Sequence, residues 1–331
     1  MNTPRKVVLA TTVFGVAFTG ALAKSAYGLT TTSDATQSNS IKLPLAGPNR
    51  PQDVPDGYVI TPFGYFHPSC VQSLAKGERQ MPDGRLQHAN GSVEQKAAVC
   101  NFPHYTRSGV SSSEPRAKSP EINGWLENAN FAAPYANESF GALIATWIVP
   151  PSPRANDGQV LYFFPGLEDL QDYQTSILQP VLGWYWGQWT IASWNCCING
   201  VITNSPFVVV NPGDIIYGSI TNTCNPGTLS CPTWNVLSVD LSTGDSTILS
   251  NTPSEGQTFD WAFEGVLEAY SVVACNDFPP DRRLAFRNVV LFDQDLNPVV
   301  RPEWSDAVDN TANPWCGYNV HSSTHDVTLH Y

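Results

Sequence analysis

Beyond Lys118 the 331-residue chain contains no lysine, and charged side chains of any kind make up only 14% of it. Residues 121–331 carry five basic side chains, all arginine, against 22 acidic ones, whereas residues 1–120 carry 12 basic and 7 acidic. A surface so poor in cations repels phosphate, which excludes nucleic acid and anionic membrane as partners of the C-terminal part. It also loses self-repulsion as carboxylates protonate, so an acidic medium suits it. There is no CxxC pair, and the six histidines are scattered. A zinc site is therefore not expected, and neither a metal nor a cofactor is called for. Phosphate-binding glycine loops, coiled-coil heptads and internal repeats are missing too.

Long apolar runs are nearly absent. The single one extends from Val7 to about Leu22, preceded by Arg5 and Lys6 and followed by the small-residue pattern Ala21-Leu22-Ala23. It reads as a cleaved export signal over residues 1–23, leaving a secreted mature chain with no membrane segment, expected to be a monomer. The eight cysteines then belong to an oxidising compartment. Cys224 and Cys231 bracket the turn Asn225-Pro226-Gly227, Cys70 can pair with Cys100 and Cys275 with Cys316. Cys196 and Cys197 are left as a vicinal pair or as partners for others, since spacing does not fix connectivity. Asn90-Gly91-Ser92 and Asn137-Glu138-Ser139 are glycosylation acceptors in a host that modifies exported chains.

What is abundant is turn and strand chemistry: 27 Pro, 24 Gly and 11% aromatics. Residues 24–120 are weakly patterned and basic, as a removable pro-segment or an accessory module held by Cys70–Cys100 would be, with Ser108–Pro120 as linker. From residue 121 onward short apolar runs alternate with Gly, Pro and Asn clusters. Expected strands are Phe140–Pro150, Val160–Phe164 (stopped by Pro165-Gly166), Thr175–Trp184, Gln188–Trp194, Phe207–Val210, Ile215–Ile220, Trp234–Leu241, Ser246–Leu249, Phe259–Val273 and Phe286–Phe292. So many strands without helical periods imply an all-β fold, a β-sandwich over residues 121–331.

Two of these strands put polar side chains where a core strand has apolar ones: Gln174-Thr175-Ser176-Ile177-Leu178-Gln179 and Glu264-Gly265-Val266-Leu267-Glu268. The first resembles the Gln-Thr-Ala-Ile-Leu-Gln element of the glutamic peptidases, the eqolisin or A4 family. Asn123-Gly124-Trp125, Thr146-Trp147-Ile148-Val149-Pro150, Asn211-Pro212-Gly213-Asp214-Ile215-Ile216 and Phe263-Glu264-Gly265-Val266-Leu267-Glu268-Ala269-Tyr270 are similar to other elements of that family, in the same order. The resemblance implies a concanavalin-like β-sandwich of two antiparallel sheets and a secreted acid endopeptidase acting on polypeptide substrates. Its catalytic pair would be Gln179 and Glu268, with Glu264 as the alternative carboxylate. Glu268 would take a proton from the attacking water while the Gln179 amide donates to the oxyanion. The chain departs from the family at Phe163-Phe164-Pro165-Gly166-Leu167-Glu168-Asp169, which has about two extra residues, and at Ile191-Ala192-Ser193-Trp194, which lacks a Glu. The rival reading is a noncatalytic, lectin-like sandwich binding glycans or cell-surface ligands, with Trp184, Trp186 and Trp189 as a stacking wall or, for two of them, as core.

Overall fold

The computed structural model describes residues 41–112, 124–170, 176–197 and 200–331. The expected export signal, Gln174 and Thr175 lie outside them. Residues from Ser40 to Tyr331 form one compact unit.

The described N-terminal residues build short strands: β1 (Val59–Thr61), β2 (Gly64–Phe66), β3 (Val71–Ser73), β4 (Arg79–Gln80), β5 (Leu86–Gln87), β6 (Val93–Glu94), β7 (His104–Tyr105) and β8 (Ser111–Ser112). The rest supplies β9 (Trp125–Ala132), β10 (Phe140–Ile148), β11 (Val160–Glu168), β12 (Ile177–Tyr185), β13 (Gln188–Cys196), β14 (Ile202–Asn204), β15 (Val208–Val210) and β16 (Ile215–Asn222). It continues with β17 (Thr233–Asp240), β18 (Ser246–Pro253), β19 (Trp261–Tyr270), β20 (Arg283–Asp293), β21 (Ser305–Val308), β22 (Asn319–Ser322) and β23 (Val327–His330). A nine-stranded sheet runs β21-β9-β19-β11-β12-β13-β14-β3, with β15 beside β13, and a seven-stranded sheet runs β18-β17-β16-β10-β20-β23-β22. The two sheets form the expected sandwich. The last 39 residues, for which the sequence offered no reading, close one edge of each sheet with β21 and with β22–β23.

Residue pattern explains which sheet is covered twice. In β17 buried and half-buried positions alternate, as in a sheet with one face toward solvent. Every residue of β11, β12 and β19 is buried. Their inner side chains, among them Leu161, Phe163, Leu178, Leu182 and Leu267, pack against the seven-stranded sheet. Their outer ones, among them Tyr162, Phe164, Val181 and Val266, pack in a second cluster with Val54, Tyr58, Val59, Ile60, Tyr65 and Phe66. Residues 41–112 are thus a third layer, a cap on the outer face of the nine-stranded sheet. The cap also adds β3 to that sheet, parallel to β14. The three expected disulfides form, Cys196 and Cys197 take the vicinal pairing of the two alternatives left open, and each bridge closes within the cap or within residues 124–331.

Pro165-Gly166 does not stop β11, which continues to Glu168. The β11–β12 ladder keeps one register from Leu161↔Trp184 to Glu168↔Ile177 but is interrupted over Phe164–Gly166 and Gln179–Val181. In that register Pro165 faces Pro180. Two residues without an N–H share one break, which is how both are tolerated in central strands.

Gly265 lies on the face of β19 that packs on the other sheet. A Cβ there would stand 2.5 Å from Phe286 and 2.8 Å from Val327. Gly265→Ala is expected to cost about 1–3 kcal/mol by overpacking, read as a lower urea midpoint with an unchanged slope.

Candidate active site

On β12, Gln179 alternates with Ile177 and Val181, so it points to the capped face. It is fully buried, and neither its Nε2 nor its Oε1 has a hydrogen-bond partner. A buried unpaired amide costs about 1–3 kcal/mol, so its retention points to a use. Opposite it on β13 stands Trp194. The Trp194 ring meets Phe63, at the tip of the β1–β2 hairpin, with ring centres 6.3 Å apart.

Glu268 lies on the same face of β19, opposite Tyr162 of β11, and is 2% exposed. Its Oε1 accepts a hydrogen bond from the Tyr270 hydroxyl. At Gly124 a Cβ would come within 3.3 Å of that oxygen, so the chain passes Glu268 closely there. Tyr65 from the cap packs edge-on against Tyr270, centres 5.2 Å apart. The Tyr162 hydroxyl donates to the Ile60 carbonyl of the cap at 3.1 Å. Burial, and then the negative charge of Glu268, push the Tyr270 phenol well above its ordinary range. The Tyr162 phenol is raised mainly by burial, then by Tyr185 and Glu268. Both remain protonated donors.

The two expected site residues share a face without touching. Glu268 is opposite Tyr162, whereas Gln179 falls in the register of Gly166. Four residues along β11 and one strand spacing on either side put their Cα atoms about 16 Å apart. Strand side chains stand roughly perpendicular to the sheet, so the amide and the carboxyl meet a common water or carbonyl only by leaning toward each other along it. The Phe164 ring, packed against Trp125, lies on the strand between them.

Sequence reading passed over Glu168. It is 4% exposed, opposite Ile177 on β12, and therefore one diagonal step from Gln179, about 7–8 Å between Cα atoms. A carboxylate two residues after a glycine in an otherwise apolar strand was the available signal. Glu264 goes elsewhere. It is the extra residue of a β-bulge, between Phe263↔Asn130 and Gly265↔Ala129, and its charged neighbours are Asp326 and Asp306. The tryptophan run divides as well: Trp184 and Trp189 belong to the core, and Trp186 is 60% exposed with its indole N–H donating to the Lys42 carbonyl. No stacking wall of three forms.

Glu264 has both oxygens buried without partners, and Glu127 accepts the Asn319 backbone N–H at 2.6 Å while its second oxygen has none. Burial pushes each carboxyl from 4.5 up to about 9. Raised folded values mean stability that is complete below about 4.5 and is lost as pH climbs toward 9. Each group contributes about 5 kcal/mol between pH 4 and 8, the two together on the order of 10 kcal/mol, a fall of about 20 °C in melting temperature. Glu264→Gln should flatten the profile by about half, and a melting temperature that rises from pH 4 to 8 would contradict the assignment.

No protein-family model matches the chain, and no curated protein matches it. Among solved structures it is similar to scytalidoglutamic peptidase with a peptide-based transition-state analogue, at 19% identity and a TM-score of 0.46, covering 62% of this chain and 98% of that one. It is also similar to SCP-B, a member of the eqolisin family in complex with the tripeptide Ala-Ile-His, at 18% identity and 0.42, covering 62% and 98%. Aspergilloglutamic peptidase from Aspergillus niger matches at 17% and 0.37, covering 52% and 98%. These likenesses are of fold alone.

Proposed function

We propose that the chain is a secreted acid endopeptidase of the glutamic class, acting on polypeptides through Gln179 and Glu268 and held latent by residues 41–112. The carrying observation is the fully buried, unpaired Gln179 amide on the face it shares with Glu268. In the reaction, ionised Glu268 takes a proton from water as the water oxygen bonds to the scissile carbonyl carbon. The Gln179 amide donates to the developing oxyanion, and protonated Glu268 returns its proton to the leaving amine as the C–N bond breaks. An amide keeps its donor at every pH, which suits acid conditions. Latency follows from position: the hairpin tip at Trp194 and Tyr65 at Tyr270 occupy the space a peptide needs.

A second reading, favoured by the diagonal step to Gln179, gives the base role to Glu168. Incubation with a denatured protein from pH 2 to 7, before and after displacement of the cap, tests the activity. Cleavage on the acid side only after displacement is expected, and its absence at every pH would sink the proposal.

A further inference from the structure

Among the described residues, polar groups reach Glu268 from three elements, and they differ in whether they leave with the cap. From the cap come the Tyr65 phenol and Arg107, whose Nη2 is committed to Asp309 at 2.6 Å. From β11 comes Tyr162, whose hydroxyl is committed to the Ile60 carbonyl. On the strand of Glu268 itself, two residues on and therefore on the same face, Tyr270 donates directly to Oε1. Its ring is 1% exposed and is packed edge-on by both Tyr65 and Tyr162, so the hydroxyl has a fixed aim.

We infer that Tyr270 is a positioning residue for Glu268, holding the carboxylate by a hydrogen bond to its ionised form and so setting how far into acid it can act as base. The inference rests on the peptidase reading above. A donor bonded to a carboxylate stabilises its charged form, and Tyr270, unlike the cap groups, stays with Glu268 when the face is uncovered. Its phenol does not ionise in the working range, so the donor is present throughout.

The test compares Tyr270→Phe with Tyr185→Phe, each in the full chain carrying Ile60→Asp to open the cap, reading kcat/KM against pH for a denatured protein. Carbon-13 titration of the Glu268 carboxyl, assigned by its loss in Glu268→Gln, gives a readout independent of turnover. In Tyr270→Phe the acid limb and the carboxyl titration should both move up by about one pH unit, a roughly tenfold loss of kcat/KM on the acid side with KM little changed. Tyr185→Phe, at a buried tyrosine of the same sheet whose hydroxyl accepts from the Thr190 hydroxyl, should leave both in place. An unmoved titration in an active Tyr270→Phe enzyme overturns the role of Tyr270 alone. A moved titration with no hydrolysis by any form overturns the peptidase reading and, with it, any catalytic meaning of the bond.

Discussion

Glu268→Gln in the uncapped protein is expected to lower kcat/KM for a denatured protein by about 10³-fold or more, with KM nearly unchanged. The size follows from the double duty assigned to this carboxylate, since general acid–base transfer contributes about 10²–10⁴ and one group serves both proton transfers. Gln179→Ala should cost about 10²–10³, the loss of one oxyanion donor. The double variant should be little worse than Glu268→Gln, because the two act as a unit. Glu168→Gln decides between the carboxylates. If Glu268 is the base, Glu168→Gln retains activity to within about tenfold. If Glu168→Gln is the dead variant and Glu268→Gln is active, the second reading is right and the register across β11 is the reason.

Ile60→Asp in the full chain is expected to raise acid hydrolysis by about 100-fold over the unaltered protein. The charge contrast between the two halves predicts that ion pairs hold the cap, and among the described residues two cross from it: Arg107 to Asp309, and Lys96 to Glu255. Partly exposed pairs of this kind contribute about 1 kcal/mol or less each. Against them stand seven cap side chains in the shared cluster, Val54, Tyr58, Val59, Ile60, Tyr65, Phe66 and Cys70. At about 1.5–3 kcal/mol for full burial, and allowing for a compact unfolded reference, these amount to on the order of 10 kcal/mol. Loss of the two ion pairs therefore loosens the cap without releasing it. Burying an aspartate at position 60 costs several kcal/mol and opens it, about a hundredfold for each 2.8 kcal/mol. Equal hydrolysis by Ile60→Asp and the unaltered chain would show that the cap does not hold the site closed.

Much of this fold is legible in the sequence. The apolar runs mark most of the long strands to within about four residues, because a buried strand is largely apolar and turns need Gly, Pro or Asn; β9 went unmarked because Glu127, Asn128 and Asn130 interrupt its pattern. The cap's strands are two or three residues long, too short for alternation to register. Its presence was nevertheless written elsewhere: Val160-Leu161-Tyr162-Phe163-Phe164 has no polar face, which only a sheet covered on both sides permits. Pro165 misled because the rule against proline in a central strand assumes a partner asking for its N–H. Pro180 makes no such request. The site was legible as a face but not as a distance, since the offset between Gln179 and Glu268 depends on ladder register, and the diagonal placement of Glu168 is invisible until β11 and β12 are paired.

The two-sided burial of the nine-stranded sheet also bears on the life of the opened molecule. Without its third layer, Tyr162, Phe164, Val181, Trp194 and Val266 become one contiguous wet apolar patch. A patch of that kind adheres to unfolded chains and to other copies of itself alike. The cap is then a solubility device as much as a lock, and an opened molecule remains dispersed longest where unfolded polypeptide is plentiful enough to occupy the patch.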